Sequence, residues 1–365
     1  MKKIPHYNLD KIDSIGADYN IIYGERSNGK SYQVKHKKAI EKYLKTGKRF
    51  ILLRRWKEEI TTEKIEQYFQ DVDVEKLTSG KYNTIVYYRK TLYLGNYDIE
   101  DGKTTRGEKI GYVIALSTEQ NYAGASYLDV EDIIFEEFMS RNIYLAHEPD
   151  KLMNLYCTVD RKRHTTKIWL VGNSISRVCP YINDWELSHI FSKLKQGQIE
   201  TKEVPTGEVN EDGTEEKVKI AIEFCKSTGV SSHTIGSHSA MLNNGSWQVD
   251  PQPHLPKSLK EYKTLFRIGF QYQNFRFIGK YLMDKSTYNV VWFIFPYYRE
   301  FKDNILVFSD VIKPSPYFQR NIYDPSIDNQ DLKDVLDTFR ENKIFYSSDL
   351  CGTDFKQVID FSIKK

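Results

Sequence analysis

Eight consecutive residues near the start of the chain have the types and spacing needed to hold a chain of phosphates. They read GERSNGKS and fit the pattern G-x-x-x-x-G-K-[ST] at every defined position. In such a loop, backbone N–H groups surround the anion, the lysine reaches the β- and γ-phosphates, and the hydroxyl ligates Mg²⁺. We therefore predict an ATP and Mg²⁺ site in which Lys30 and Ser31 make the principal contacts. The predicted loop consists of Gly24, Glu25, Arg26, Ser27, Asn28, Gly29, Lys30 and Ser31.

Two adjacent acids supply the second part of a hydrolytic site. Glu136 and Glu137 end the apolar run DIIFEEF. The first acid can hold Mg²⁺ through a bound water, and the second can act as general base on an attacking water. Asp132, at the other end of the run, is a weaker Mg²⁺ candidate. This order of acids indicates hydrolysis rather than transfer to a substrate hydroxyl.

Asn173 ends another apolar run, KIWLVGN. Ligands bind at strand ends of open α/β sheets, so the amide could contact the γ-phosphate or the attacking water. An amide that only caps a turn is the alternative.

Two basic clusters could contact phosphates. Arg54, Arg55 and Lys57 surround a tryptophan after the second apolar run and could bind DNA; solvated surface charge is the alternative. Arg161 and Arg163 lie in the basic run RKRH before KIWLVGN, which could supply an arginine finger; an ordinary basic turn is the alternative.

Other candidate sites are weak. His233 and His238 have no acid or cysteine at ligand spacing, which argues against a metal site. The later strands carry Gln271, Gln273 and Arg276 where a two-metal nuclease needs carboxylates, whereas Asp284, Asp303 and Asp310 lie at turns or strand ends. We therefore expect no nuclease activity.

The elements that must position these residues alternate between short apolar runs and helical patterns up to about residue 180. This alternation predicts an α/β domain with a mainly parallel sheet. Gly47 marks the end of the helix after the loop, and residues 82–98 read as a β-hairpin. The predicted strands are 19–24, 49–55, 112–117, 132–138 and 167–173.

The remainder of the chain divides in two by composition. Residues 196–219 are acidic, turn-rich and nearly free of large apolar side chains, as is typical of a linker. Four strand-like runs follow, then a helical pattern over 328–342. We predict a P-loop domain over 1–190, a linker or insert over 191–256, and a smaller α+β domain over 257–365.

Composition limits the partners. The 365 residues carry 53 basic and 50 acidic side chains, so the formal net charge is +3 and any DNA surface must be local. The four cysteines show no C-x-x-C spacing, and no run approaches the ~20 apolar residues of a membrane span. We expect a soluble protein of a reducing, cytoplasmic setting with no membrane partner.

The first half resembles the encapsidation ATPases of small short-tailed phages whose linear genomes have protein-linked ends. GERSNGKS, FILLRRWKEE, ALSTEQ, IIFEEF and LVGNSISRVCPY occur in that order over residues 18–182. The resemblance implies an additional-strand, catalytic-glutamate ATPase fold and a C-terminal domain similar to ribonuclease H without its activity. It also implies Arg161 as the finger, with Arg163 as the alternative, and Lys57 as a contact to DNA or a neighbouring subunit.

The resemblance also implies a motor that drives double-stranded DNA into a preformed capsid. Its implied setting is a homo-oligomeric ring, a pentamer, at the portal vertex of the prohead in the host cytoplasm, not retained in the mature virion. The portal, a packaging RNA and the genome-linked terminal protein are the implied partners. One departure stands out, because Glu136 occupies a position where this family favours aspartate. A helicase, a clamp-loader-like ATPase or a non-hydrolysing nucleotide-regulated scaffold are the alternatives.

Overall fold

The structure of the chain is a computed structural model, and it divides into two units. The first unit comprises 1–175, 189–234 and 240–246, and the second comprises 176–188, 235–239 and 247–365. The predicted boundaries at 190 and 256 are therefore not those of the structure. The structure describes residues 7–122, 124–140, 144–209, 212–229, 246–247, 249–272, 275–302, 305–309, 318–319, 337, 341 and 344–363.

A nine-stranded sheet organises the first unit. Its order is β3-β4-β5-β2-β6-β7-β1-β9-β8, and every neighbouring pair from β5 to β9 in this order is parallel. The central runs are almost wholly apolar because a parallel sheet is covered on both faces. The strands are β1 (Tyr19–Gly24), β2 (Arg49–Arg54), β3 (Thr84–Tyr88), β4 (Thr91–Tyr97), β5 (Thr104–Ala115), β6 (Val130–Glu136), β7 (Lys167–Asn173), β8 (Gln198–Val209) and β9 (Glu215–Phe224).

Strand β7 lies between β1, which leads into the phosphate-binding motif, and β6, which ends at Glu136. Gly24 is in register with Asn173, and Glu136 is in register with Val171. The carboxyl ends of the three strands therefore meet at one edge of the sheet, which we call the carboxyl edge. An extra strand between the P-loop strand and the acidic strand is the mark of the additional-strand ATPase fold, so the predicted fold class is confirmed.

The helices of the first unit begin with short segments on either side of β1. After the motif, the chain is helical without interruption from Lys30, including a π-helical stretch, and Gly47 ends it with a φ of 70°, as predicted. The helices are α1 (Asp10–Asp13), α2 (Lys30–Val34), the π-helix Lys35–Glu41, α3 (Lys42–Thr46), α4 (Thr62–Phe69), α5 (Val74–Leu77), α6 (Glu148–Asp160), α7 (Pro180–Asp184) and α8 (Ser188–Lys193), with 3₁₀ turns at Lys57–Glu59 and Leu116–Tyr122; α7 belongs to the second unit.

The predicted hairpin over 82–98 is confirmed as β3 and β4. A two-residue loop joins the strands, because Tyr88 pairs with Thr91. Strand β4 pairs antiparallel with β5, so the hairpin extends the main sheet.

The prediction of a linker over 191–256 is wrong for most of the residues of this range that the structure describes. Strands β8 and β9 form an antiparallel hairpin, and β9 pairs in parallel with β1 from Ile220 to Phe224. These β9 residues are buried, whereas the part of the hairpin beyond β1 is mostly exposed. The acidic, polar composition therefore reflects an exposed arm of the sheet.

A six-stranded mixed sheet organises the second unit in the order β14-β13-β10-β11-β12-β15. Strands β10, β11 and β12 form an antiparallel meander, while β13 runs parallel to β10 and β14 runs parallel to β13. Ribonuclease H-like folds have this arrangement. The elements are a 3₁₀ turn (Leu259–Glu261), β10 (Tyr262–Tyr272), β11 (Phe275–Asp284), β12 (Val290–Pro296), β13 (Val307–Ser309), β14 (Phe318–Gln319), β15 (Ile344–Tyr346) and α9 (Asp349–Ile363).

The segment 176–188 belongs to the second unit because its apolar side chains pack there. Val178 lies in one core cluster with Trp292 and Phe355, and Arg177 forms an ion pair with Asp354 at 2.6 Å. Composition could not separate this segment from the ATPase-like sequence just before it.

Several weaker predictions concern the second half of the chain. Asp284 is paired with Lys257 at 2.7 Å, and the described residues hold no cluster of three potential metal ligands. No helix in the described ranges is long and apolar enough to cross a membrane. His233, His238, Gln273, Asp303, Asp310 and most of the predicted helix 328–342 lie outside the described residues.

Candidate nucleotide site

The phosphate-binding motif lines a cavity of about 690 Å³ at the carboxyl edge. This volume is typical of a site for a small ligand. Gly29 has a φ of 93° at the start of α2, a conformation that glycine adopts without a steric penalty. The lining residues are 26–33, Lys35, Asp71 and Asn173.

Lys30 is held by two oxygens beside the cavity. Its Nζ donates to the carbonyl oxygen of Glu25 at 2.5 Å and to Oδ1 of Asn173 at 2.9 Å. Burial lowers the pKa of the Lys30 ammonium below its usual value. The strand-tip amide predicted to reach the site is therefore in contact with the motif lysine.

Glu136 contacts the motif serine directly. The Ser31 hydroxyl donates to Oε2 of Glu136 at 2.9 Å, and the Tyr68 hydroxyl donates to Oε1 at 2.8 Å. Burial raises the pKa of Glu136, against the opposing effect of these two hydrogen bonds. Burial also raises the pKa of Tyr68 well above its usual value, so the phenol keeps its proton. Tyr68 belongs to α4 and matches no motif, so the sequence did not identify it.

Glu137 has a different environment from its neighbour. It has a φ of 59°, and its side chain is 65% exposed. Its Oε2 lies 3.5 Å from Nη2 of Arg54, whose Nε donates to Glu59 at 3.2 Å. One carboxylate is thus buried and bonded while the next is open to solvent, a difference in environment that suits two different roles.

Arg55 does not lie on the surface, so its predicted role in DNA binding is wrong. Its guanidinium is buried and donates to both carboxylate oxygens of Glu148, at 2.8 and 3.1 Å from Nε. It also donates to the carbonyl oxygens of Glu137 and Phe138 at 3.1 and 2.6 Å. The side chain therefore holds the backbone at the end of β6.

The other two members of this basic cluster differ from Arg55. Arg54 is only 19% exposed and pairs with Glu59 and Glu137, so it too is not placed as a free phosphate contact. Lys57 is exposed in the 3₁₀ turn after β2, so its role at DNA or a neighbouring subunit stays a prediction.

The two arginines of the RKRH run also differ. Arg161 is exposed, follows α6 and donates to the carbonyl oxygen of Ala125 at 2.7 Å. It precedes β7, so it lies at the edge opposite the cavity. The structure contradicts the alternative assignment to Arg163, whose half-buried guanidinium donates to the carbonyl oxygens of Tyr127, Leu128, Val130 and Val159.

The remaining candidates have structural contacts. Asp132 lies at the far end of β6, where it binds Lys42 and accepts from Trp169 Nε1 at 2.8 Å, so it is not a Mg²⁺ candidate. Glu25 is buried, and its carboxylate accepts from the Ser227 hydroxyl and the Thr228 N–H, both at 2.6 Å. The segment after β9 thus supports the phosphate-binding motif, which the linker interpretation missed.

Comparisons with known proteins agree on one family. Residues 1–196 match the Podovirus DNA encapsidation protein (Gp16) family. The chain is 32% identical over 184 residues to the DNA packaging proteins of Bacillus phages PZA and phi29, which is 50% of each chain. It is 33% identical over 165 residues to that of Bacillus phage B103, covering 44% of this chain and 46% of that protein.

The chain spans about half the length of these curated relatives. A solved structure extends the likeness in fold to the whole chain. It belongs to the bacteriophage Phi-29 viral genome packaging motor assembly and gives a TM-score of 0.59 with 22% identity over 99% of both chains.

Proposed function

Because this chain belongs to the podovirus DNA encapsidation protein family, we propose that it hydrolyses ATP to drive double-stranded DNA into a preformed capsid. The convergence of residues at the carboxyl edge is the observation that carries the proposal. Ser31 lies 2.9 Å from Glu136, and Lys30 lies 2.9 Å from Asn173. Residues far apart in sequence thus converge beside one cavity, which supports a site for a triphosphate.

The site also fits Mg²⁺. Ser31 Oγ at the cavity would ligate the ion, and the Glu136 carboxylate bonded to Ser31 would hold a Mg²⁺-bound water, since Mg²⁺ prefers oxygen ligands and retains several waters. Bound Mg²⁺ supplies positive charge to the β- and γ-phosphates. Lys30 adds a second positive charge there. Burial lowers the pKa of its ammonium, and the nearby carboxylates of Glu136 and Glu25 oppose this effect.

Glu137 acts as the general base in this proposal. Its carboxylate is exposed beside Arg54 and can reach a water, whereas Glu136 is buried and already bonded to Ser31 and Tyr68. Asn173 orients the γ-phosphate or that water from the tip of β7. Arg55 donates hydrogen bonds to the backbone carbonyl oxygens of Glu137 and Phe138 and so fixes the position of the Glu137 backbone.

The wider assembly follows from the family and not from the site. We propose a homo-oligomeric ring, a pentamer, at the portal of the prohead in the host cytoplasm, absent from the mature virion. In it Arg161 reaches a neighbour's nucleotide and Lys57 contacts DNA or a neighbour. The portal, a packaging RNA and the terminal protein are its proposed partners.

Two variants test the hydrolytic site. Lys30→Ala should lose nucleotide binding or turnover, and Glu137→Gln should bind ATP but hydrolyse it about 10²- to 10⁴-fold more slowly, as loss of a general base predicts. Glu58→Gln, in the exposed 3₁₀ turn, is the matched control. A wild-type rate in Lys30→Ala would disprove the site. If Glu136→Gln rather than Glu137→Gln bound ATP without turnover, the roles of the two acids would be exchanged.

A second measurement tests the DNA step. The full-length protein with proheads should protect intact duplex from nuclease in the presence of ATP. Strand separation without protection would instead indicate a helicase.

A further inference from the structure

The turn between β3 and β4 carries two basic residues in a backbone conformation that favours asparagine and glycine. Arg89 has a φ of 48° and Lys90 a φ of 66°. A two-residue hairpin loop with both φ values positive is most often Asn-Gly, because the Cβ of other residues crowds the backbone. Arg89 and Lys90 therefore occupy a turn whose backbone conformation is unfavourable for both residue types.

Aromatic rings hold these cations in place. The Arg106 guanidinium lies 3.9 Å from the centroid of the Tyr88 ring, and that of Arg89 lies 5.1 Å from the same centroid. Lys90 Nζ lies 5.0 Å from the centroid of the Tyr122 ring. We call Tyr88, Arg89, Lys90 and Arg106 the basic hairpin. Two like charges beside one ring repel each other, so this arrangement attracts an anion.

No carboxylate of the described ranges forms an ion pair with the three cations of the basic hairpin. Three other basic residues of the first unit do have carboxylate partners: Lys81 pairs with Glu108, Lys103 with Asp101 and Arg49 with Asp129. Glu66, which approaches this strand, accepts from the backbone N–H of Tyr87 at 3.2 Å rather than from a basic side chain.

The turn of the basic hairpin, with Arg89 and Lys90, lies at the carboxyl edge, whereas Arg106 belongs to β5 and reaches Tyr88 through its side chain. The Lys90 carbonyl oxygen accepts from the N–H of Val113, near the carboxyl end of β5. The 3₁₀ segment that contains Tyr122 packs against the turn that contains the exposed Lys57. The basic hairpin and Lys57 therefore share one surface of the first unit.

We propose that the basic hairpin binds the phosphate backbone of double-stranded DNA. This inference rests on the proposed packaging function, and it supplies surface cations that Arg54 and Arg55 do not provide. Arginine and lysine side chains on an exposed turn neutralise phosphates without reading bases, as a protein that moves along DNA of any sequence requires.

Replacement of the tip by its preferred turn sequence tests the proposal in the full-length chain. Arg89→Asn combined with Lys90→Gly removes both charges and relaxes the backbone, so the Tm should be equal or higher. Affinity for a fluorescent DNA duplex at low salt should nevertheless fall about tenfold or more. The slope of log Kd against log salt should decrease by roughly two, at about 0.9 per lost phosphate contact.

Two further variants separate this effect from net charge. Lys11→Asn with Lys45→Asn removes two exposed charges elsewhere in the first unit and should leave affinity and salt slope unchanged. Arg89→Lys with Lys90→Arg keeps both charges and should retain the wild-type slope.

Each other outcome overturns the proposal. If wild type binds duplex and the variant with Arg89→Asn and Lys90→Gly binds equally well, the basic hairpin is not the contact, and the proposed function stands. If that double variant loses affinity for an RNA duplex but not for DNA, the site belongs to an RNA. If wild type binds no duplex, the DNA part of the proposed function fails together with this inference, whatever the ATPase rate.

Discussion

Glu136 is one methylene longer than the aspartate that the family resemblance implies at its position, and Tyr68 holds this longer side chain. The phenol bonds one carboxylate oxygen while Ser31 bonds the other. A carboxylate fixed at both oxygens keeps one orientation towards the cavity. At the residue scale, a partner from α4 thus accommodates a departure from the usual pattern.

Removal of the Tyr68 hydroxyl should therefore weaken the Mg²⁺ site. In Tyr68→Phe, we expect the Mg²⁺ concentration for half-maximal ATPase to rise about tenfold, because a hydrogen bond to a charged group is lost. The measurement is ATPase rate against Mg²⁺ at saturating ATP. Tyr43→Phe is the control, since it loses a phenol–glutamate bond to Glu108 at 3.1 Å outside the cavity lining. An equal shift in both variants would contradict a specific role for Tyr68.

The sequence identified the residues whose chemistry is encoded within a few positions of each other. Lys30, Ser31, Glu136 and Glu137 stand in short patterns, and the structure brings the first three together with Asn173. Tyr68 could not be found in this way, because its partner is 68 residues further along the chain.

At the scale of elements, the buried Arg55–Glu148 pair joins the end of β2 to the start of α6. In the segment RRWKEE, Arg55 is indistinguishable from a surface charge, because the carboxylate that neutralises it is 93 residues away in sequence. The strands themselves were predictable, since β1 and β7 have the predicted bounds and β2 differs by one residue.

Breaking this pair should destabilise the protein. Arg55→Met leaves Glu148 buried without its counter-ion, so the free energy of unfolding should fall by about 3–5 kcal/mol. Arg55→Met with Glu148→Leu should recover part of the loss. Denaturant unfolding monitored by fluorescence measures both. If Arg55→Met left the stability unchanged but reduced the salt dependence of DNA binding, Arg55 would instead be a DNA contact.

Strand β9 gives a second prediction at this scale. Ile222 is fully buried beside Ile21 of β1, so Ile222→Ala should cost about 2–5 kcal/mol. Val209 is 68% exposed at the end of β8, and Val209→Ala should change stability by less than about 0.5 kcal/mol. Equal small effects would mean that this hairpin is not part of the folded sheet in solution.

At the scale of the whole molecule, the first unit presents different chemistry at two edges. The cavity lies at the carboxyl edge, and the exposed Arg161 lies at the other. This separation is compatible with the proposal that Arg161 serves the site of a neighbouring subunit rather than its own. The division into units was less predictable, because 176–188 belongs to the second unit whereas the residues on both sides of it belong to the first.

Mixed assemblies test the trans role of Arg161. An Arg161→Ala subunit keeps Glu137, and a Glu137→Gln subunit keeps Arg161, so a mixture should hydrolyse ATP faster than either variant alone. The finger is expected to contribute about 10³- to 10⁵-fold in rate. ATPase rates over a range of mixing ratios, with rings verified by size, are the measurement. No recovery at any ratio would argue against a trans finger.

The pairing of β9 with β1 also affects how the chain is made. Ile220 pairs with Tyr19, about 200 residues earlier in the chain. At about 5–20 residues per second of synthesis, β1, which leads into the phosphate-binding motif, is made roughly 10–40 s before the neighbouring strand β9. During that interval one edge of β1 is unpaired, and exposed strand edges promote aggregation. Expression at a low rate with chaperones should therefore improve the yield of soluble protein.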